Sequence, residues 1–302
     1  MPGESSDVRN QRLVEELGVR LADDAATVMI FLGAGLSFGV GRRLGRGSFE
    51  TPPPIDDDSR FPSWMLLVDR MKTELKERTA DDWDRRAYDR FAREHDPIDF
   101  AHLYRNTVGE EFYFEFLLSQ FETRDEDSRV LTPSHEALVA LPLRELFTTN
   151  YDGLIELAYA RWNGDLAVSS RPDDFLAQEA ARPERHLIKL HGTWDDPQSV
   201  VLTRDEYARS RVERAEMFRH LGQQARFTTF LFVGFSLTDP NFNLMRDEAR
   251  MVMGEAMPQS YLVQARLDAV TRSYVESLGV DVIELFSWNR LPAFLHAINP
   301  AS

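Results

Sequence analysis

The hydrophobic pattern starts as a helix. Leu13, Leu17 and Leu21 recur at helical spacing with Arg and Glu between them, which predicts a helix over residues 5–26. "TVMIFLGAG" then reads as a buried strand, near residues 27–33, that runs into a glycine turn. Residues 45–62, "GRGSFETPPPIDDDSRFP", carry three consecutive prolines and an acidic triplet, the composition of a loop. Residues 63–132 change character: apolar and aromatic positions repeat at helical intervals with no strong strand, which predicts an insertion of three to five helices. From residue 133 onward short apolar runs alternate with amphipathic stretches. "RELFTTNYD", "HLIKLHGTW", "VVLT", "TTFLFVGFS", "SYLVQA" and "VDVIELF" read as strands. "SHEALVALP", "GLIELAYARW", "RDEYARSRVERAEMFRHLGQQA", "NFNLMRDEARMVM" and "LDAVTRSYVESLG" read as helices between them.

Strands apolar on both faces, alternating with helices, make a parallel sheet covered on both sides. The fold class expected is therefore α/β, a Rossmann-like, mostly parallel sheet with helices on both faces and a helical insertion. Residues 1–62 and 133–302 would form the α/β domain and residues 63–132 the inserted module.

Composition narrows the chemistry. The chain has 302 residues, 43% of them hydrophobic, enough for a sizeable core. It has no cysteine, which excludes disulfides, thiol catalysis and Cys-ligated zinc. Lys+Arg 35 against Asp+Glu 50 gives a net charge of −15, which disfavours direct nucleic-acid binding by the isolated chain. Arg42, Arg43 and Arg46 could still meet a small anion. No apolar run approaches a membrane span, and "MPGESSDVRN" has no secretory apolar core, so the expected location is cytoplasmic.

In open α/β folds, ligands bind beyond the carboxyl ends of the strands. Four predicted strands finish there in small or reactive residues: Gly33, Ala34, Gly35 and Ser37; Thr149, Asn150 and Asp152; His191 and Gly192; Gly234, Ser236 and Asp239. That points to one crevice. Each group also has a structural reading. Gly33-x-Gly35 fits a plain turn as well as a phosphate loop. Asn150 and Asp152 could cap the helix starting near Gly153. His191 could be a satisfied buried histidine, and His186, which opens its strand, is read as structural. Thr203 with Glu206 matches a capping box. Asp239-Pro240 looks like N-cap and N1 of a helix, whose N-terminus could still attract phosphate.

Residues 33–39 almost match the dehydrogenase fingerprint, but Phe38 stands where a third glycine belongs and Gly39 comes one residue late. The acidic residue expected about 20 positions on would fall in the proline-rich loop, where Glu50 follows no strand. Hydride transfer is thus disfavoured. "HEALV" lacks the second histidine of a zinc motif, and neither a P-loop nor a nucleophile elbow is present. Asp56, Asp57 and Asp58 read as a solvated loop, and no metal is expected.

Taken in order, Gly-Ala-Gly-x-Ser at 33–37, Thr-x-Asn-x-Asp at 148–152, His-Gly at 191–192 and Gly-x-Ser at 234–236 resemble the sirtuin (Sir2) pattern. "FTTNYDGLIE", "KLHGTW" and "FVGFSLTDPNF" look more like the divergent bacterial Sir2-like branch than the protein deacylases. The resemblance covers about residues 27–62 and 133–290. It implies NAD as ligand, and a Gly-Ala-Gly loop that meets pyrophosphate without the third glycine. It further implies Asn150 orienting water and ribose, His191 as general base, and Asp152 near the nicotinamide amide. Gly234 and Ser236 would face the ribose and phosphate, with Ser37 in the phosphate loop. The chain departs from the deacylases in lacking the four-cysteine zinc module and in having Thr149 before the asparagine. "FPSW", with Pro62 and Trp64, is the nearest counterpart of the segment that follows the glycine loop. No segment is assignable to gripping an acyl-lysine peptide.

The expectation is an NAD+ hydrolase (NADase) yielding nicotinamide and ADP-ribose, an NAD-depleting effector of antiphage defence. The alternatives are an NAD-dependent deacylase or ADP-ribosyltransferase, and a non-enzymatic sensor of NAD or ADP-ribose. Because the sequence stops soon after its last strand, control is expected from homo-oligomerisation or a partner, by analogy a HerA-type ATPase. The glycines and arginines of 39–47 could form a lid or a partner surface.

Overall fold

The computed structural model describes residues 6–24, 27–37, 40, 61–123 and 131–301. The chain enters through α1 (Ser6–Asp23), β1 (Val28–Leu32) and the one-turn α2 (Ala34–Ser37). Between β1 and β2 stand α3 (Trp64–Arg78), α4 (Asp82–Glu94), α5 (Pro97–Val108), α6 (Glu110–Phe121) and α7 (Pro133–Val139). From β2 (Glu145–Thr148) the chain passes through α8 (Leu154–Trp162), β3 (Ala167–Ser169) and α9 (Pro172–Ala181) to β4 (His186–Lys189). It continues through α10 (Arg204–Glu213), α11 (Ala215–Phe227), β5 (Thr229–Val233), α12 (Pro240–Met253) and β6 (Ser260–Gln264). The last elements are α13 (Ala269–Ser277), β7 (Val280–Glu284) and α14 (Leu291–Ala297).

The strands form one sheet in the order β3-β4-β2-β1-β5-β6-β7, with every pairing parallel. Strand alternation divides the core. Val28, Ile30 and Leu32 pack on one face with α1, α7, α8 and α14. Met29 and Phe31 pack on the other with α9, α11, α12 and α13. Every residue of β1 is buried, so the run is continuously apolar rather than alternating. After β1 the chain builds β2, β3 and β4 on one side, then crosses to β5 on the other side of β1. The direction of strand order reverses between β1 and β5, the place where such folds bind ligands.

Helices α3–α6 form a cluster between β1 and β2. Its core, including Phe100, Tyr104, Tyr113 and Phe121, is shared with Tyr151, Leu154 and Leu202 from the loops above the sheet. Glu206 of α10 fastens the two parts: its Oε1 lies 2.5 Å from Arg105 Nη1 of α5. The module is thus seated directly over the carboxyl ends of the strands.

Three expectations need correction. The opening helix is shorter, Ser6–Asp23. "VVLT" forms no strand, because the Leu202 and Thr203 N–H groups donate to Glu206 Oε2 at 2.9 and 2.7 Å and the segment becomes the cap of α10. The long helix after it is two, α10 and α11, broken at Arg214. This side chain is buried, and its guanidinium donates to the carbonyls of Ser170 at 2.8 Å and Lys189 at 3.3 Å, and to that of Ser199. Residues 39 and 41–60, with Arg42, Arg43, Arg46, Glu50, Asp56, Asp57 and Asp58, lie outside the described residues, as does most of the expected 39–47 lid.

α7 carries a titratable buried group. His135 is fully buried, and its Nδ1 accepts the Thr132 N–H at 3.3 Å. Burial pushes its pKa down to about 4. The unfolded chain takes up this proton near pH 6.5 and the folded chain near 4, so stability falls as pH drops through that window, by about 3 kcal/mol in all. Gln at this N3 position can make the same capping contact without titrating. His135→Gln is therefore expected to flatten the pH dependence of urea unfolding between pH 6.5 and 4.

Candidate active site

Between β1 and β5 two loops cross at close range. The Gly33 N–H donates to Val233 O at 3.0 Å and the Gly35 N–H to Gly234 O at 2.9 Å. A Cβ on Gly33 would stand 2.4 Å from Gly234 O, and one on Gly35 2.6 Å from Gly234 Cα. The glycines serve this crossing by lacking a side chain. Above it opens a cavity of about 810 Å³, large enough for a dinucleotide-sized ligand. Ala34, Gly35, Asn150, Asp152, His191 and Ser236 all line it. The crevice inferred from four strand ends is one cavity, since β4, β2, β1 and β5 are neighbours.

Asn150 is buried at the cavity wall. Its amide nitrogen donates to Gly33 O at 3.2 Å and Ser37 Oγ at 3.1 Å. Its backbone N–H donates to Thr148 Oγ1 at 3.0 Å. With both amide hydrogens held, the amide oxygen is the group left to accept from a ligand or water. Asn150 is no helix cap; Asp152 Oδ1 instead accepts the Leu154 N–H at 3.2 Å. Ser37 is 2% exposed and stands behind Asn150 rather than on the cavity wall. Ser37 also favours the charged form of Asp152, which connects the two polar side chains.

Burial pushes the Asp152 carboxyl above its ordinary range, against the pull of Lys189, Ser37 and the Leu154 N–H. Lys189 is fully buried at the end of β4. Its ammonium donates to Asp152 O and Glu156 Oε1, both at 2.7 Å, and to Tyr151 O and Thr193 Oγ1, both at 3.4 Å. One cation thereby ties the loop bearing Asn150 and Asp152 to the loop that follows His191. Lys189→Met is expected to cost about 3 kcal/mol in chemical denaturation, because Glu156 keeps its charge without a partner. Lys189→Met/Glu156→Leu should recover part of that loss.

His191 is buried and lies edge-on to the Tyr207 ring, centroids 5.1 Å apart. Its Nε2 is 3.1 Å from Asp239 Oδ2, a close contact without hydrogen-bond alignment. The Tyr207 hydroxyl donates to the same oxygen at 2.9 Å, and Asp239 Oδ1 accepts the Phe242 N–H at 2.8 Å. Burial alone would raise the Asp239 pKa, but His191 and these two donors outweigh it and hold the carboxyl below its ordinary value. Asp239 is thus the expected N-cap of α12 and, through its second oxygen, the partner of His191. Sequence reasoning missed that second role, and it missed Tyr207 altogether. The only signal was an acidic residue just past a strand end on the histidine's side of the fold.

The rest of the wall comes from the insertion and the far strands. Pro62, Trp64, Ile98 and Phe121 close one side, Gln264 and Trp288 another. Ser236 is exposed at the rim and hydrogen-bonded to Thr238 at 2.6 Å. Gly33 does not line the cavity.

Fold and site together define a Rossmann-like α/β protein with a large cavity at its topological switch point and a buried His–Asp pair lining it. More particularly, residues 144–283 match the SIR2-like domain model. Its relatives include "NAD(+) hydrolase ThsA" of Enterococcus faecium, 29% identical over 188 residues, which is 61% of this chain and 38% of that protein. Another is "NAD(+) hydrolase ThsA" of Bacillus cereus (strain MSX-D12), 27% identical over 223 residues, 73% of this chain and 39% of that protein. "Defense-associated sirtuin 2" of Bacillus subtilis is 24% identical over 252 residues, 81% of this chain and 24% of that protein. The chain therefore spans less than half the length of these relatives. No helix among the described residues is long and apolar enough to cross a membrane.

Proposed function

We propose that this chain hydrolyses NAD+ at the nicotinamide–ribose bond and serves antiphage defence by depleting NAD. The observation that carries the reading is the meeting of Asn150, Asp152 and the His191–Asp239 pair in one cavity at the β1/β5 switch point. The two relatives named NAD(+) hydrolase support it. The glycosidic C–N bond breaks with its electron pair moving to the ring nitrogen, so nicotinamide leaves neutral and needs no strong acid. The ribose passes through an oxocarbenium-like state. The Asn150 amide oxygen accepts from the attacking water or a ribose hydroxyl. As water joins the ribose carbon, its proton passes to His191, and Asp239 stabilises the imidazolium that forms. Asp152 faces the nicotinamide amide, and Gly234 and Ser236 face the ribose and phosphate of NAD. The Gly33-Ala34-Gly35 loop admits the pyrophosphate, with Ser37 bracing Asn150 from behind. Residues 63–132 act as a module closing the cleft. Activity is controlled by self-association or by a partner, for which a HerA-type ATPase is the analogy.

The test is to supply NAD to the purified chain and measure free nicotinamide and ADP-ribose, with and without an acylated peptide. Turnover without peptide is expected. Turnover only with peptide would indicate a deacylase, and NAD binding without turnover under any condition a sensor.

A further inference from the structure

The sheet's opposite edge holds a second polar cluster, at the strand starts rather than the strand ends. Glu145 opens β2 and His186 opens β4, and the two are register partners on adjacent parallel strands. Both lie on the face covered by α9 and α11, beneath the apolar layer containing Phe147 and Phe175. Glu179 reaches in from α9 and His220 from α11.

The geometry points to a zinc-type divalent-cation site formed by Glu145, Glu179 and His186. Oxygen and nitrogen atoms of these three side chains lie within 4.8 Å of one another. Glu179 Oε1 is 3.9 Å from His186 Nδ1. Donors on a tetrahedron of zinc bonds stand roughly 3.3 Å apart, so the three side chains would close inward by up to about 1.5 Å around the ion. Imidazole plus two carboxylates is a donor set that suits zinc, and three protein ligands leave a position for water.

Two observations set this cluster apart from a chance group of acids. His186 is buried, yet its Nδ1 has no hydrogen-bond partner among the described residues and faces Glu179. Its other nitrogen is engaged: Nε2 lies 2.7 Å from Ser169 Oγ. With Nε2–H donating to that hydroxyl, Nδ1 keeps its lone pair, the outer contact that fixes a ligating histidine's tautomer. His220 Nε2 sits 3.1 and 3.0 Å from the two Glu145 oxygens and its Nδ1 3.8 Å from Glu179 Oε2, so a bound ion would take over from His220 as the partner of both carboxylates. The Phe175 ring stacks against His186 with centroids 6.0 Å apart, shielding the inner side. A bound ion would pin α9 to the starts of β2 and β4 and steady the short edge strand β3. The cysteine-free composition hid this site, since it removes only thiolate zinc chemistry.

Zinc chloride alone, titrated calorimetrically into the tag-free full chain, tests the assignment. The wild type is expected to bind one equivalent, and its unfolding midpoint should rise by roughly 5 °C at saturating zinc. X-ray absorption of the complex should show histidine nitrogen in the ligand shell. Glu179 is on the exposed side of α9, so Glu179→Ala keeps the fold, checked by circular dichroism, and should bind about 10-fold more weakly or worse. His102→Ala, in the insertion, should bind as the wild type does. The proposal fails if the wild type takes up no zinc at submillimolar concentration. It also fails if Glu179→Ala keeps wild-type affinity, if His102→Ala loses it, or if the spectrum lacks histidine. None of these readouts depends on NAD turnover.

Discussion

His191→Ala is expected to lower kcat for NAD hydrolysis about 10²–10⁴-fold, the contribution of a positioned general base, with little change in NAD affinity. The imidazole acts only as water loses its proton, so its removal weakens the transition state more than the bound substrate. Asp239→Asn separates charge from architecture. Asn is as good an N-cap as Asp, so the Phe242 N–H keeps its acceptor and α12 its start. What disappears is the negative charge beside the forming imidazolium. A fall in kcat with KM and thermal stability near wild type is the expected result, from steady-state kinetics and calorimetry on one preparation. Because the Asp239 carboxyl is held below its ordinary pKa, it stays ionised well into acid, and its contribution is lost only as pH falls through that lowered value. Wild-type turnover by both variants would remove His191 from the mechanism.

How much of this was legible in the chain depends on what each residue answers to. β1 and β5 announce themselves because all their residues are buried and, apart from Thr229, apolar, and no helix period fits them. β3 did not, since three residues at a sheet edge carry too little pattern. "VVLT" looked like a strand because its side chains are apolar. What decided its backbone was the carboxylate of Glu206, four residues past Leu202. Asn150 and His191 could be singled out because parallel strands deliver their ends to one edge. The pairing of His191 with Asp239 could not, because the two belong to different strand ends and meet only once β4, β2, β1 and β5 are ordered. Local chemistry disclosed the cap; the sheet order disclosed the partner.

The second large effect concerns the glycines, where the sequence left turn and phosphate loop open. Gly33→Ala places a Cβ 2.4 Å from Gly234 O and 2.6 Å from Phe235 Cα, both backbone atoms that cannot turn aside as a side chain would. Gly234→Ala meets Leu36 N at 2.6 Å and must also hold a φ of +65°. Each change forces the β1 and β5 loops apart, at an expected cost of about 3 kcal/mol, the upper end for overpacking. That should lower the unfolding midpoint by roughly 6–12 °C. The same displacement moves Gly33 O, the acceptor that holds the Asn150 amide. NAD affinity and turnover should therefore fall with stability, whereas Gly164→Ala, where a Cβ meets nothing within 4 Å, should spare both functions and cost only the strain of its φ of +92°. The two crossing loops share one contact, so once Gly33→Ala has opened it, adding Gly234→Ala should cost less than it does alone. Full additivity in denaturant unfolding, or NAD binding undiminished in Gly33→Ala, would mean that the crossing does not shape the site.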